Sequence, residues 1–247
     1  MQKLLKRLIF ILLVIVAGWG LNFPAFAQMG TVGDADPAAF EVFRNAYNSR
    51  YTWDDHFPGY TATIKVTEKQ EVYEAKTRIN SDLSLELTGI ENAKFRGTVG
   101  DQLRMLITHR RTLPFKVAHK EHTFTFGKTS NNEAVEIDQH GKGSPSYYQV
   151  KEGKIIEVNR FMGAVAVKVD LLEWEDTPTG YLGTRYRASF HYIQTGDELE
   201  QIEYKDTYKK VGDYYIPTHQ TIRHFQAGQE TTTDINFSDI KLLTAKS

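Results

Sequence analysis

Leu199-Glu200-Gln201-Ile202-Glu203-Tyr204-Lys205-Asp206-Thr207-Tyr208, Gly212-Asp213, Tyr214-Tyr215-Ile216-Pro217-Thr218-His219-Gln220-Thr221-Ile222-Arg223-His224, Ala227-Gly228, and then Thr231 to Leu243 is the stretch that decides the fold. Aromatic and β-branched residues alternate with polar ones, and each run stops at a short turn signal, so the stretch reads as consecutive antiparallel strands. The same grammar extends toward the N-terminus. Tyr181 to Ile193, Val165 to Trp174, Ile155 to Phe161, Tyr147 to Val150, Ala134 to Gln139, His122 to Phe126 and Phe115 to His119 all read as strands. Gly196-Asp197, Pro178-Thr179-Gly180, Glu152-Gly153 and Gly141 to Pro145 punctuate them. Thr61 to Val66, Glu71 to Ile79 and Leu83 to Leu87 precede them with the same period of two.

Two segments break the pattern. Ala38 to Tyr47 carries Phe40, Phe43 and Tyr47 at helical spacing, with Asp36 placed as N-cap and Pro37 in the first turn. Val99 to His109 carries Leu103, Leu106 and Ile107 as an apolar stripe, and Pro114 marks its end. The expected fold is therefore α+β and mainly β: a large curved antiparallel meander, or half-barrel, with two short helices packed on its concave side. A sheet polar at alternate positions buries only one face, which must curl on itself or be covered by the helices.

The N-terminus reads as a secretory leader. Lys3, Lys6 and Arg7 precede the apolar run Leu8 to Ala17, and Phe23-Pro24-Ala25-Phe26-Ala27 ends in a small-x-small signal before Gln28. Residues 1–27 form the expected signal peptide, 28–35 a linker, and 36–247 a single mainly-β domain. The alternative is an uncleaved anchor, although the run falls short of the ~20 residues of a spanning helix unless Gly18 to Phe23 are counted. Without the leader, 27 Lys+Arg stand against 31 Asp+Glu, a net charge of about −4. That balance argues against a nucleic-acid partner. There is no cysteine, hence no disulfide framework and no lipoprotein attachment site. The expected location is exported: periplasm or thylakoid lumen.

Three stretches carry a family resemblance: Thr108-His109-Arg110-Arg111-Thr112-Leu113-Pro114-Phe115, Val158-Asn159-Arg160-Phe161-Met162-Gly163, and Tyr208-Lys209-Lys210-Val211-Gly212-Asp213-Tyr214-Tyr215-Ile216-Pro217-Thr218. Over about residues 36–243 they resemble a family of exported or plastid proteins from oxygenic phototrophs that is classed as a domain of unknown function. That family supplies no catalytic residues. More distantly, the N-terminal helix, the meander and the closing Ile235-Asn236-Phe237-Ser238-Asp239-Ile240-Lys241-Leu242 are similar to the periplasmic lipoprotein-carrier superfamily. There a half-barrel wraps helices around an apolar cavity for acyl chains. Signatures specific to the carriers are absent, so the resemblance implies no lipoprotein substrate.

No catalytic motif emerges. Gly141-Lys142-Gly143-Ser144 is similar to a phosphate loop, but Glu136 stands where the first glycine belongs and no helix follows. There is no Gly-x-Ser-x-Gly elbow. Glu133, Glu136, Asp138, Glu173, Glu175 and Asp176 include no acid marked for glycosidase chemistry. His119 and His122 are the sharpest local pair. If Lys120-Glu121 is a two-residue hairpin turn, Phe115, Val117 and His119 on one strand face His122, Phe124 and Phe126 on the next, with the histidine Cβ atoms ~5 Å apart. If the strand runs straight, they point to opposite faces. His109, Glu136 and His140 are third-ligand candidates that no spacing dictates, so a structural pair and no metal are expected. His109, Arg110 and Arg111 are read either as an anionic-headgroup site or as cations complementing a helix C-terminus. Arg185 and Arg187 alternate with Tyr186, Ala188 and Phe190, which places the arginines on a solvated face and the others inside.

The expectation is a non-catalytic exported binding protein without cofactor, holding an apolar or amphipathic lipid-like molecule in the half-barrel. His109, Arg110, Arg111, His119, His122, Phe124, Phe126, Tyr186, Ala188 and Phe190 are its candidate ligand residues, and contact with a membrane periphery is compatible with it. The alternative is an assembly factor using the same face, or the sheet edge, for a protein partner. An enzyme with an unrecognised site is the third reading.

Overall fold

The computed structural model describes residues 35–128, 133–143 and 145–244. The leader expected at 1–27 and nearly all of the linker lie outside them. The elements run α1 (Pro37–Asn48), β1 (Gly59–Glu68), β2 (Glu71–Asn80), β3 (Leu85–Thr88), α2 (Ala93–Thr108), α3 (Phe115–Ala118), β4 (His122–Phe126), β5 (Val135–Gly141), β6 (Ser146–Lys151), β7 (Lys154–Met162), β8 (Val165–Thr177), β9 (Gly180–Tyr192), β10 (Glu198–Val211), β11 (Tyr214–Gln226) and β12 (Gln229–Leu242).

All twelve strands form one antiparallel sheet, ordered β3-β2-β1-β12-β11-β10-β9-β8-β7-β6-β5-β4. β2 and β3 step outward from β1. The chain then crosses through α2 and α3 to the far edge, and nine strands walk back until β12 pairs with β1. Register shifts in the β1–β12, β6–β7, β8–β9, β9–β10 and β10–β11 pairs add local twist, which curls so long a sheet. The hairpin at Glu152-Gly153 has φ of 51° and 70°, the primed-turn geometry whose twist matches the flanking strands.

Both expected helices are present. Asp36 caps α1, accepting from the Ala38 amide at 2.8 Å and the Ala39 amide at 3.3 Å. The second starts earlier than the apolar stripe predicts, because the Asn92 side chain caps it by accepting from the Lys94 and Phe95 amides. The expected strand Phe115 to His119 is instead the helical turn α3. The Val117 and Ala118 amides donate to the Pro114 carbonyl, and the His119 amide donates to that of Phe115. Five residues after a proline are too few for period two to outweigh a turn that drives Phe115 into a ring cluster. The Lys120-Glu121 hairpin therefore does not form, and Val117 is 62% exposed.

The core has three parts. The largest joins Tyr51, Trp53 and Phe57 to α2 and to strands β1, β2, β11 and β12. The second wraps α1 and α3 over β4, β5 and β6 through Phe43, Phe115, Phe124, Ile137 and Tyr148. The third, Val167, Ala188 and Phe190 with Met162, Val165, Val169, Leu199 and Ile202 around them, consists of strand residues alone. Gly180, at φ +141°, locks the first part to β9. A Cβ there would meet the Ser49 carbonyl at 2.5 Å, and its absence lets the Tyr51 and Tyr181 amides bond across to the Tyr181 and Ser49 carbonyls.

Candidate functional site

The ladder registers determine which side chains share the inner face. Partner by partner, one row runs Phe124, Gln139, Ser146, Arg160, Val167, Phe190 and Glu200. The adjacent row runs Phe126, Ile137, Tyr148, Val158, Val169, Ala188, Ile202 and His224. A third continues with Met162, Val165 and Tyr192. The strand-only cluster thus forms an apolar floor with a polar wall on either side.

The first wall is built where α1, α3 and β4 meet. The His119 ring packs edge-on against Phe43 and Tyr47 at 5.3 Å, and lies 5.9 Å from the His122 ring. The two histidines do meet, through a helical turn rather than a hairpin. Burial, reinforced by the charges of His122 and Arg160, pushes the His119 imidazole down to about 4. His122 Nε2 lies 3.1 Å from the Lys142 carbonyl, and Tyr148 links Gln139 to Arg160 by hydrogen bonds of 3.1 and 3.4 Å. His119 Nδ1, His122 Nδ1 and Arg160 Nε are buried without hydrogen-bond partners. Arg160 forms no ion pair with any described residue.

The opposite wall is Glu200, 5% exposed, whose carboxylate meets His224 Nε2 at 2.7 Å and the Gln226 amide at 3.5 Å. Three strand spacings separate Arg160 from Glu200, about 14 Å along the sheet.

The other candidates belong to a second, closed cluster. Arg110 is 3% exposed and donates to the Tyr208 hydroxyl at 2.6 Å. Tyr208 donates to Asp206 at 3.0 Å, and Gln220 donates to Asp206 at 2.8 Å. Burial works against the Arg110 charge, but Tyr208, Tyr186 and Asp206 outweigh it, so the guanidinium holds its proton more tightly than a free one. Asp206 is raised, by burial above all. His109 stacks on Tyr186 at 5.8 Å, and burial followed by the Arg110 and Arg50 charges pushes it down to about 3. Gly183 permits this approach, because a Cβ there would collide with the Tyr186 hydroxyl. His109, Arg110 and Tyr186 therefore knit the end of α2 to the sheet and present no headgroup site. Arg111 is exposed and takes no part in the cluster.

Arg185 and Arg187 lie on the outer face with Arg223. There Glu203 takes all three guanidinium groups, at 3.5, 2.8 and 3.8 Å. An acyl-sized hollow at the centre is not what the structure presents. Helices and rings fill both ends of the concavity, and Val167, Ala188 and Phe190 are only 1–2% exposed. Among the described residues, the two best-formed depressions are open and polar. One of about 270 Å³ is lined by Arg185, Glu203 and Lys205, and one of about 340 Å³ by Lys69, Glu230 and Asp234. No group of three or more His, Asp or Glu suited to a metal occurs among the described residues.

Arg160, Gln139, Glu200 and His224 were not legible as site residues from motifs. Their signal is parity: Val158-x-Arg160-x-Met162 and Glu200-x-Ile202-x-Tyr204 each place a charge on the apolar side of a strand.

A curved antiparallel half-barrel with capping helices and a polar-walled apolar floor is the class that this fold and site define. The chain belongs to the family described as proteins of unknown function, DUF3386, whose model matches residues 34–243. No curated protein matches the sequence. Three solved structures are similar in chain trace, with little geometric superposition. A domain assigned to outer membrane lipoprotein sorting from Vibrio parahaemolyticus is 10% identical, covering 84% of this chain and 93% of that one, with a TM-score of 0.33. The MucA/MucB complex structure from Pseudomonas aeruginosa is 8% identical, covering 84% and 100%, at 0.24. A DUF1329 family protein from Desulfovibrio piger is 8% identical, covering 85% and 94%, at 0.26.

Proposed function

We propose that this protein is an exported, non-catalytic binding protein whose inner face receives an apolar or amphipathic small molecule. One observation carries the reading. The first two parts of the core include helical residues, whereas the third is made of strand residues alone and keeps Met162, Val165, Val169, Leu199 and Ile202 only partly buried. A floor that no helix residue joins, sealed at Val167, Ala188 and Phe190 and open at its partly buried neighbours between polar walls, suits a molecule with a chain and a head. Each buried CH₂ contributes ~0.8 kcal/mol, so a fully buried ten-carbon chain supplies about 8 kcal/mol before ordering costs, which leave its net affinity weaker than micromolar. The leader expected at residues 1–27 supports export, and no helix among the described residues is long and apolar enough to cross a membrane.

Ala188 is sealed beneath the floor, so the bulk of Ala188→Trp pushes its partly buried neighbours into the ligand's path and should weaken decanol binding at least about tenfold in a fluorescence competition assay. Val165→Asp, at a half-buried position, should do the same without disturbing the core. Unchanged affinity in both folded variants would refute this location. A second reading has its own support. Val167, Ala188 and Phe190 are already sealed, while Tyr192 and Ile193 are 39% and 45% exposed. That combination favours a protein partner resting on the rim.

A further inference from the structure

We propose that the wall formed by His119, His122 and Arg160 is a subsite for an anionic head group, a carboxylate or a phosphate monoester, in the molecule that occupies the inner face. The inference rests on the binding reading above and adds the chemistry of the head.

Arg160 stands on the apolar side of β7, between Val158 and Met162. It has no acidic partner among the described residues, its Nε has no acceptor, and its one hydrogen bond is the 3.4 Å contact of Nη2 with the Tyr148 hydroxyl. A guanidinium cannot shed its proton to escape such a position, so an unmatched donor there calls for an acceptor. The two imidazoles stand in the same network. His122 Nε2 faces a carbonyl, which fixes the ring proton on that nitrogen in the neutral form and leaves Nδ1 with an unused lone pair. His119 Nδ1 is likewise unused.

Two free imidazole nitrogens can hold a metal, but the adjacent guanidinium repels a cation and no third ligand occurs among the described residues. An acidic head fits all three groups. Its oxygens accept from Arg160 Nε–H. If it arrives protonated, its O–H donates to an imidazole Nδ1 while its other oxygen accepts from Arg160, so no proton transfer and no further reactant are needed. Glu200 lies about 14 Å away across the floor, too far to neutralise Arg160 directly. It sets the direction of binding, since an anionic head is repelled there and attracted at Arg160. Lys142, whose carbonyl meets His122 and whose ammonium pairs with Glu121 at 3.7 Å, stands beside the wall.

The test is isothermal titration of the full mature chain with decanol, decanoate, decyl phosphate and inorganic phosphate, repeated on Arg160→Gln and His122→Gln. The proposal predicts that decanoate and decyl phosphate bind more tightly than decanol. Arg160→Gln should cost them about ten- to a hundredfold and leave decanol unchanged. His122→Gln should cost less, with circular dichroism confirming both folds. Decanol and decanoate binding equally, with Arg160→Gln silent for both, would overturn the head-group subsite and leave the apolar floor standing. No binding of any ten-carbon probe would overturn the binding reading itself. Inorganic phosphate binding as tightly as decyl phosphate, in an Arg160-dependent way, would support the anion subsite and replace the amphipathic ligand with a free anion.

Discussion

Phe43→Ala should destabilise the protein by about 3–5 kcal/mol, the range for emptying a fully buried aromatic site. Phe43 is 1% exposed and lies at the centre of the ring cluster that fastens α1 to the far edge of the sheet. Its ring centroid is 4.3 Å from Tyr148, 5.0 Å from Phe124, 5.3 Å from His119 and 5.8 Å from Phe115. These contacts come from α3 and the His119 that ends it, from β4 and from β6, so neighbours fixed on other elements cannot collapse into the void. Urea denaturation followed by tryptophan fluorescence reads the loss. Phe43→Leu, which keeps most of the volume, should cost less than half as much. A loss below about 1.5 kcal/mol in the alanine variant would mean that α1 is not anchored through this ring.

Arg110→Met should have a comparable effect, about 3 kcal/mol or more, for an electrostatic reason. The substitution preserves the chain stem but withdraws the charge that Asp206 and Tyr208 are arranged around. It leaves a 7%-exposed carboxylate whose remaining donors are Gln220 and Tyr208. Asp206 should respond by taking up a proton more readily. The double variant Arg110→Met/Asp206→Leu isolates the cause. If the two residues act as one buried unit, the double change should cost at least about 1 kcal/mol less than the sum of the single changes. Simple additivity would show that Arg110 acts only through packing.

Much of the fold was legible because the relevant signals are local. Alternation in β9 to β12 needed only one run and its turns, and Asp36 followed by Pro37 announced the start of α1. Phe115 to His119 failed for a local reason too. An apolar residue at every second position looks the same in a short strand and in one turn of helix, and only the rings waiting beneath Phe115 decide between them. The site was harder because it is a property of register. Arg160, Val167, Phe190 and Glu200 become neighbours through ladders between four strands, and one residue of slip in any of them would turn a side chain outward. The encounter of His119 with His122 was anticipated by the wrong route, and the role of Arg110 was masked because burial cannot be read from a basic triplet. Arg185 and Arg187 read correctly as outward, since their neighbours in sequence were visibly apolar.

The central claim is that the inner face holds an amphipathic small molecule. Native mass spectrometry of the mature protein, purified gently from the organism that makes it, tests this most directly. The account predicts a bound species of a few hundred daltons at roughly one per chain, released by mild collisional activation and carrying an acidic head. A protein that emerges without such a molecule but with a stoichiometric polypeptide partner would contradict it, and would assign the exposed rim at Tyr192 and Ile193 to that partner instead.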